Sequence, residues 1–285
     1  MQRRTFTGAH GQTIAAEAVG EGPSVLLAHG GGQTRAAWTK VSGALAKEGY
    51  QAIAIDMRGH GESEWSPSGA YHFSDYAADL VAIADTLQGK PSLVGASLGG
   101  LAGLLAEGEL RPGIFTSLTL VDVTPQLEPE GVAHILSFMA AHIDEGFATA
   151  DEAAAAIGAY LPHRKQRGPS EALERYLRKC DDGRLRWHWD PQFITAASQS
   201  SPEDSEARFA AAARRLRLPV PLIRGASSNL VTSEAAQQFL QFAPHATYTD
   251  IAGAGHMVVG DRNDAFTDAI VRFLSQQAPH SHAHS

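Results

Sequence analysis

Gly95-Ala96-Ser97-Leu98-Gly99 sets a serine between two glycines, directly after the apolar run Pro91-Ser92-Leu93-Val94. Small residues on both sides permit a tight, strained turn that lifts the serine hydroxyl clear of a preceding strand. A helix following that turn aims its first N–H groups at the same point, where they favour developing negative charge. The chemistry this allows is nucleophilic attack by Ser97, and it needs a base for the hydroxyl proton and donors for an oxyanion. His29-Gly30-Gly31-Gly32 ends an earlier apolar run, and its glycines let backbone N–H groups approach a substrate oxygen without side-chain interference. The Gly31 and Leu98 N–H groups are the expected donor pair, with Gly32 close by. Among 13 histidines the expected base is His256, in Gly253-Ala254-Gly255-His256-Met257, because it falls between the last strand and the last helix. His29 belongs to the glycine loop, His60 to a turn, and His280 to His284 to a tail that reads as disordered.

The elements that must position these groups follow from periodicity. Strands are expected at Ser24–Ala28, Gln51–Asp56, Pro91–Gly95 and Ser117–Asp122, with helices at Ala36–Glu48 and Ser74–Leu87 and another after Ser97. Strands alternating with helices predict an α/β fold, a mostly parallel central sheet with helices on both faces. From residue 123 to 216 helical periodicity takes over (Val132–His142, Asp151–Tyr160, Ser170–Lys179) with no strong strand signal. The first rhythm then resumes with strands at Pro219–Gly225 and His245–Ile251 and helices at Ser233–Phe242 and Ala265–Gln276. The domain reading is a core of residues 1–122 and 217–277, a helical lid of 123–216 inserted between two strands of one sheet, and a tail of 278–285.

With these motifs in order, the chain resembles the α/β-hydrolase family in its serine-nucleophile branch. The resemblance rests on His29-Gly30, Asp56-Met57-Arg58-Gly59-His60-Gly61-Glu62-Ser63, the Ser97 turn and Gly255-His256, and extends over roughly residues 12 to 276. It implies structural roles for Asp56 and Arg58, and it speaks against the haloalkane dehalogenase and epoxide hydrolase branches, which attack through aspartate. One position departs. Relatives commonly place the acid of the triad in a segment like Gly-x-x-Ser-Asp, where this chain has Gly225-Ala226-Ser227-Ser228-Asn229. An asparagine does not stabilise an imidazolium as a carboxylate does; a comparable Asp→Asn change in a serine protease costs about 10⁴ in kcat. Some branches carry the acid at the end of the strand after the nucleophile helix, among them certain lactone, amide and carbon–carbon bond hydrolases and cofactor-free dioxygenases. Asp122 stands there and is the expected acid. A weaker Ser–His pair helped by Asn229, or another acid such as Asp250 or Asp261, is the alternative.

The lid would roof the pocket and choose the substrate. Phe138, Met139 and the cluster Trp187-His188-Trp189-Asp190 are candidate walls, as is Trp38 just after the glycine loop; each could equally pack the core. Arg164, Lys165 and Arg167 read as a solvated face and Cys180 as inert. Thirty-one acidic against 23 basic side chains leave −8, which argues against nucleic acid or an anionic membrane as partner. The single cysteine excludes an intramolecular disulfide and any multi-cysteine zinc site. No apolar run follows Arg3 and Arg4, so the start does not read as a signal peptide. The expectation is a cytoplasmic, cofactor-independent and metal-free serine hydrolase, monomer or homodimer, cleaving esters, thioesters or lactones of small to medium, largely apolar substrates. The alternatives are a cofactor-free oxygenase, perhydrolase or carbon–carbon bond hydrolase on the same scaffold, or a non-catalytic ligand-binding module.

Overall fold

Near-continuous apolar runs make the centre of the sheet. In a computed structural model, which describes residues 1–160, 176–199, 201–255 and 264–277, β1 (Gln2–Thr7) and β2 (Thr13–Val19) form an antiparallel pair. The strands β3 (Ser24–Ala28), β4 (Gln51–Ile55), β5 (Ser92–Ala96), β6 (Leu118–Val121), β9 (Pro221–Gly225) and β10 (Thr247–Ile251) run parallel to one another. The eight-stranded order is β1-β2-β4-β3-β5-β6-β9-β10. In the central strands both faces are covered, which is why they read as apolar runs and not as alternating ones.

The two-residue period of each strand still divides the core into two layers. Val25, Leu27, Ala52, Ala54 and Val94 face α1 (Thr39–Lys47) and α9 (Asp264–Gln277). Leu26, Ile53, Leu93 and Leu120 face α2 (Phe73–Thr86), α3 (Leu98–Leu105), α7 (Pro202–Arg215) and α8 (Ser233–Phe242). A single π-helical turn, Ala106–Leu110, extends α3. The segment between β6 and β9 carries α4 (Pro129–Ala140), α5 (Ala150–Tyr160) and α6 (Pro191–Gln199), then α7, which packs on α3, the π turn and α8 and so belongs to the flank of the sheet.

Two expectations need correction. The inserted segment is not purely helical: β7 (Leu177–Lys179) and β8 (Leu185–Trp187) pair antiparallel across a turn in which Gly183 takes φ 78°, so the helix expected to Lys179 is a strand at its end. The Asp181-Asp182-Gly183 run is a hairpin signal of the kind that favours positive φ. The sheet also begins earlier than expected: β1 is its edge strand, and the alanine-rich β2, paired with β1 and β4, carries a weak strand signal. Residues 170–175 of the expected helix, and Arg164, Lys165 and Arg167, lie outside the described residues.

Candidate active site

The carboxyl ends of β3, β5, β6 and β9 are neighbours, and the chain leaves each through a residue singled out by type. Ser97 follows β5 with φ 44° and ψ −113°, a conformation that costs a non-glycine residue about 1–3 kcal/mol. The turn is held from three sides: Ser97 N–H donates to Val121 O at 3.1 Å, Leu101 N–H to Ser97 O at 3.0 Å, and Gly99 N–H to His29 O at 3.1 Å. Gly99 must be glycine, since a Cβ there would strike the Ala28 carbonyl of β3. Leu98 is the first residue of α3, where backbone N–H groups have no intrahelical acceptor.

The loop after β3 lies beside the serine; a Cβ on Gly30 would stand 3.3 Å from Ser97 Cβ. His29 is fully buried and fixes the first peptide of the loop. Its Nε2 accepts from Met57 N–H at 2.9 Å, so Nδ1 carries the proton and donates to Gly30 O at 2.7 Å. In a trans peptide the N–H opposes the C=O, so the Gly31 N–H points away from His29. Burial, which disfavours the imidazolium, holds His29 down to about 4 and keeps it neutral. Gly32 takes φ 72°. Side chains of the inserted segment close over this loop. A Cβ on Gly31 would meet Phe193 Cζ at 3.3 Å, and one on Gly32 would meet Met139 Cε at 3.1 Å and Trp189 Cζ3 at 3.4 Å.

Asp122 follows β6, next to Ser97 in the sheet, and is the second non-glycine residue here with positive φ, at 50°. Its buried carboxylate accepts from Gly225 N–H at 3.0 Å through Oδ1 and from Ser228 Oγ at 2.8 Å through Oδ2. The same stretch receives the chain leaving β10: Ser227 N–H donates to Ala254 O at 2.9 Å, and a Cβ on Gly225 would lie 2.8 Å from Gly255 O. Gly255 therefore sits against the residues that hold Asp122. His256, the expected base, and Asp261 lie outside the described residues. Asn229 is exposed, and its carbonyl backs onto Gly131 of α4. Asp250 is engaged elsewhere, with Arg224 Nε at 2.8 Å and Tyr248 Oη at 2.7 Å.

The other motif residues are structural supports. Asp56 accepts the N–H groups of Arg35 at 2.6 Å and Glu62 at 2.8 Å and pairs with the Arg35 guanidinium. Arg58 makes a buried bidentate pair with Asp79 at 2.6 and 2.7 Å. Of the expected pocket walls, Met139 and Trp189 touch the glycine loop. Phe138 lies one step back, stacked on Tyr160 at 4.0 Å, and Trp187 stacks on Trp189 at 4.9 Å with its Nε1 donating to Ala141 O. Trp38 is fully buried between α1 and the sheet, in a cluster that contains no residue of the inserted segment. Phe193 was not expected; its only signal is its place in the first turn of a helix opened by Pro191. Among the described residues no three His, Cys, Asp or Glu side chains are grouped to hold a metal ion.

A serine on a strained strand-to-helix turn beside a glycine loop and a buried carboxylate is the arrangement of one family, and residues 25–269 match it: the alpha/beta hydrolase family. The chain belongs to this family. It is 30% identical to the 3-hydroxybutyrate-oligomer hydrolase of Cupriavidus necator over 247 residues, 82% of this chain and 83% of that protein. It is 29% identical to an esterase of Mycobacterium tuberculosis, covering 88% of this chain and 82% of the esterase. The crystal structure of that esterase superposes with a TM-score of 0.77 at 26% identity, over 96% of this chain and 91% of that one. The 2-(acetamidomethylene)succinate hydrolase of Mesorhizobium japonicum is 29% identical over 92% of this chain and 91% of its own. A crystal structure of E-2-(acetamidomethylene)succinate hydrolase gives a TM-score of 0.78 at 27% identity, over 96% of this chain and 98% of that one. The chain is thus an α/β hydrolase, and it is similar to members named for different substrates. No helix among its described residues is long and apolar enough to cross a membrane.

Proposed function

We propose that this hydrolase cleaves ester-type bonds through an acyl-serine intermediate on Ser97. The observation that carries the reading is the convergence of the Ser97 turn, the glycine loop and buried Asp122 at adjoining strand ends, with Gly255 packed against the residues that hold Asp122. Ser97 Oγ attacks the substrate carbonyl carbon while His256 takes its proton. The oxyanion that forms is held by the N–H groups of Gly31 and Leu98, and Asp122 stabilises the imidazolium. Collapse expels the alcohol, which leaves with the proton from His256. Water then attacks the acyl-enzyme, gives its proton to His256, and restores Ser97 as the acid departs. No cofactor enters these steps.

The inserted segment serves as a lid, and Met139, Trp189 and Phe193 on the glycine loop favour an apolar acyl group of small to medium size. The similarity to an esterase and to a 3-hydroxybutyrate-oligomer hydrolase supports this reading. Initial rates on a panel of p-nitrophenyl acyl esters and lactones test the reading. Wild-type turnover with Ser97→Ala at the uncatalysed rate is expected; equal rates for the two proteins would sink it.

A further inference from the structure

His188 is a buried histidine of the inserted segment, 5% exposed, and both ring nitrogens reach into the core. Two-residue alternation at the end of β8 sends Trp187 and Trp189 to one side, where they stack, and His188 to the other. Gly61 N–H, in the loop after β4, donates to His188 Nδ1 at 2.8 Å. Nδ1 therefore carries no proton, and the proton on Nε2 points at Gly32 O, 3.3 Å away. The groups around the ring are His60, with a ring centroid at 5.9 Å, Tyr176 at 6.2 Å and Trp189 at 5.3 Å. Burial and the neighbouring histidines His60 and His29 hold His188 well below its ordinary pKa, so the ring is neutral at pH 7.

His29 makes the same bridge with the opposite tautomer, from Met57 N–H to Gly30 O. The glycine loop is thus pinned twice to the loop after β4, at the carbonyl of Gly30 by a core histidine and at the carbonyl of Gly32 by a histidine of the inserted segment. Gly31 lies between the two pins. Gly32, with its positive φ, is the third residue of a turn closed by Gln33 N–H to Gly30 O at 3.2 Å and by Gly30 N–H to Gln33 Oε1 at 3.1 Å, and His188 holds the carbonyl at the far end of that turn. The next residues keep His188 in place: Trp189 packs on Gly32, and Asp190 N–H donates to Gly59 O at 2.8 Å while its carboxylate accepts from Tyr71 Oη at 2.5 Å.

We infer that His188 is a positioning residue for catalysis: its bond to Gly32 O holds the far end of the Gly30–Gln33 turn and so helps His29 keep the Gly31 N–H aimed at the oxyanion, which couples lid docking to the donor pair. This rests on the serine-hydrolase reading above. An ångström-scale misplacement of a catalytic group can cost about a hundredfold in rate.

The test compares wild type, H188A, H188Q and H188N for p-nitrophenyl butyrate turnover and for inhibition by phenylboronic acid, which forms a tetrahedral adduct with a reactive serine. Glutamine reproduces a donor near the Nε2 position; asparagine reproduces only the acceptor near Nδ1. H188A should lower kcat about 10- to 100-fold with KM within about twofold, and raise the boronate inhibition constant by the same factor. H188Q should recover most of the loss and H188N little of it. Melting curves of all four proteins separate these effects from loss of fold, which would lower H188Q and H188N alike. Wild-type kcat in all three variants, or recovery by H188N as complete as by H188Q, overturns the inference alone. A wild-type protein that neither hydrolyses the ester nor binds the boronate overturns the serine reading and this inference with it.

Discussion

Asp122 is held in a left-handed backbone conformation with each carboxylate oxygen accepting a named donor, Gly225 N–H and Ser228 Oγ. A carboxylate suits two donors, and an amide does not. In Asp122→Asn one of those donors faces an NH₂ group, and the charge that would balance an imidazolium is gone. Under the proposed mechanism kcat should fall by about 10³–10⁴, far more than the loss of about 1–3 kcal/mol of stability expected from the buried donor left facing the amide. Ester hydrolysis within a few-fold of the parent would remove Asp122 from the mechanism. The sequence made Ser97, Gly31 and Asp122 legible because each follows a recognisable strand and each needs a particular residue type. It left the surroundings of Trp38 open, because the spacing after a glycine loop does not say which face of the sheet a short helix will cover. Phe193 was hidden for a related reason: its contact with Gly31 is made across 162 residues of chain by lid packing that leaves no local pattern.

At the scale of elements, the loop after β4 is the hub on which both the glycine loop and the inserted segment rest. Arg58 fixes that loop to α2 through Asp79, and Asp79 also accepts from Gln12 Nε2 and Ala9 N–H, so the N-terminal hairpin is tied to the same point. Arg58 is fully buried and Asp79 nearly so. Removing one partner of such a pair leaves an uncompensated charge, at a cost of about 3–5 kcal/mol. Asp79→Asn should lose that much unfolding free energy in urea; a change under about 1 kcal/mol would show that the pair does not hold the hub. The central strands and flanking helices were legible as runs and amphipathic stretches. The β1–β2 edge and the β7–β8 hairpin were not, because their stability comes from pairing partners distant in sequence or from a turn, and their own residues are weak strand formers.

At the scale of the molecule, three neutral histidines among the described residues are buried around the glycine loop: His29 held to about 4, His60 to about 3, and His188 well below the ordinary value, each chiefly by burial. Unfolded, each would titrate near 6.5. Between that value and the folded values the unfolded chain binds more protons than the native one, so stability falls as pH falls. By pH 5 His29 and His60 together take up nearly two protons on unfolding, a slope of about 2.5 kcal/mol per pH unit, and His188 adds to it in the same direction. Carboxylates are still largely ionised there and add little. Urea unfolding at pH 7.0, 6.0, 5.5 and 5.0 checks this: stability should be nearly flat above pH 7 and drop steeply below 6. A flat profile to pH 5 would mean that these rings are hydrated or charged in the folded protein.

The central claim is that Ser97 is an activated nucleophile facing a formed oxyanion site. Intact mass after brief exposure to a small fluorophosphonate tests it most directly, because the reagent loses fluoride only to a serine so placed. One adduct per chain, mapped to Ser97 and absent from Ser97→Ala, is the predicted result. An unmodified wild-type protein, or an adduct that survives the substitution, would contradict the account.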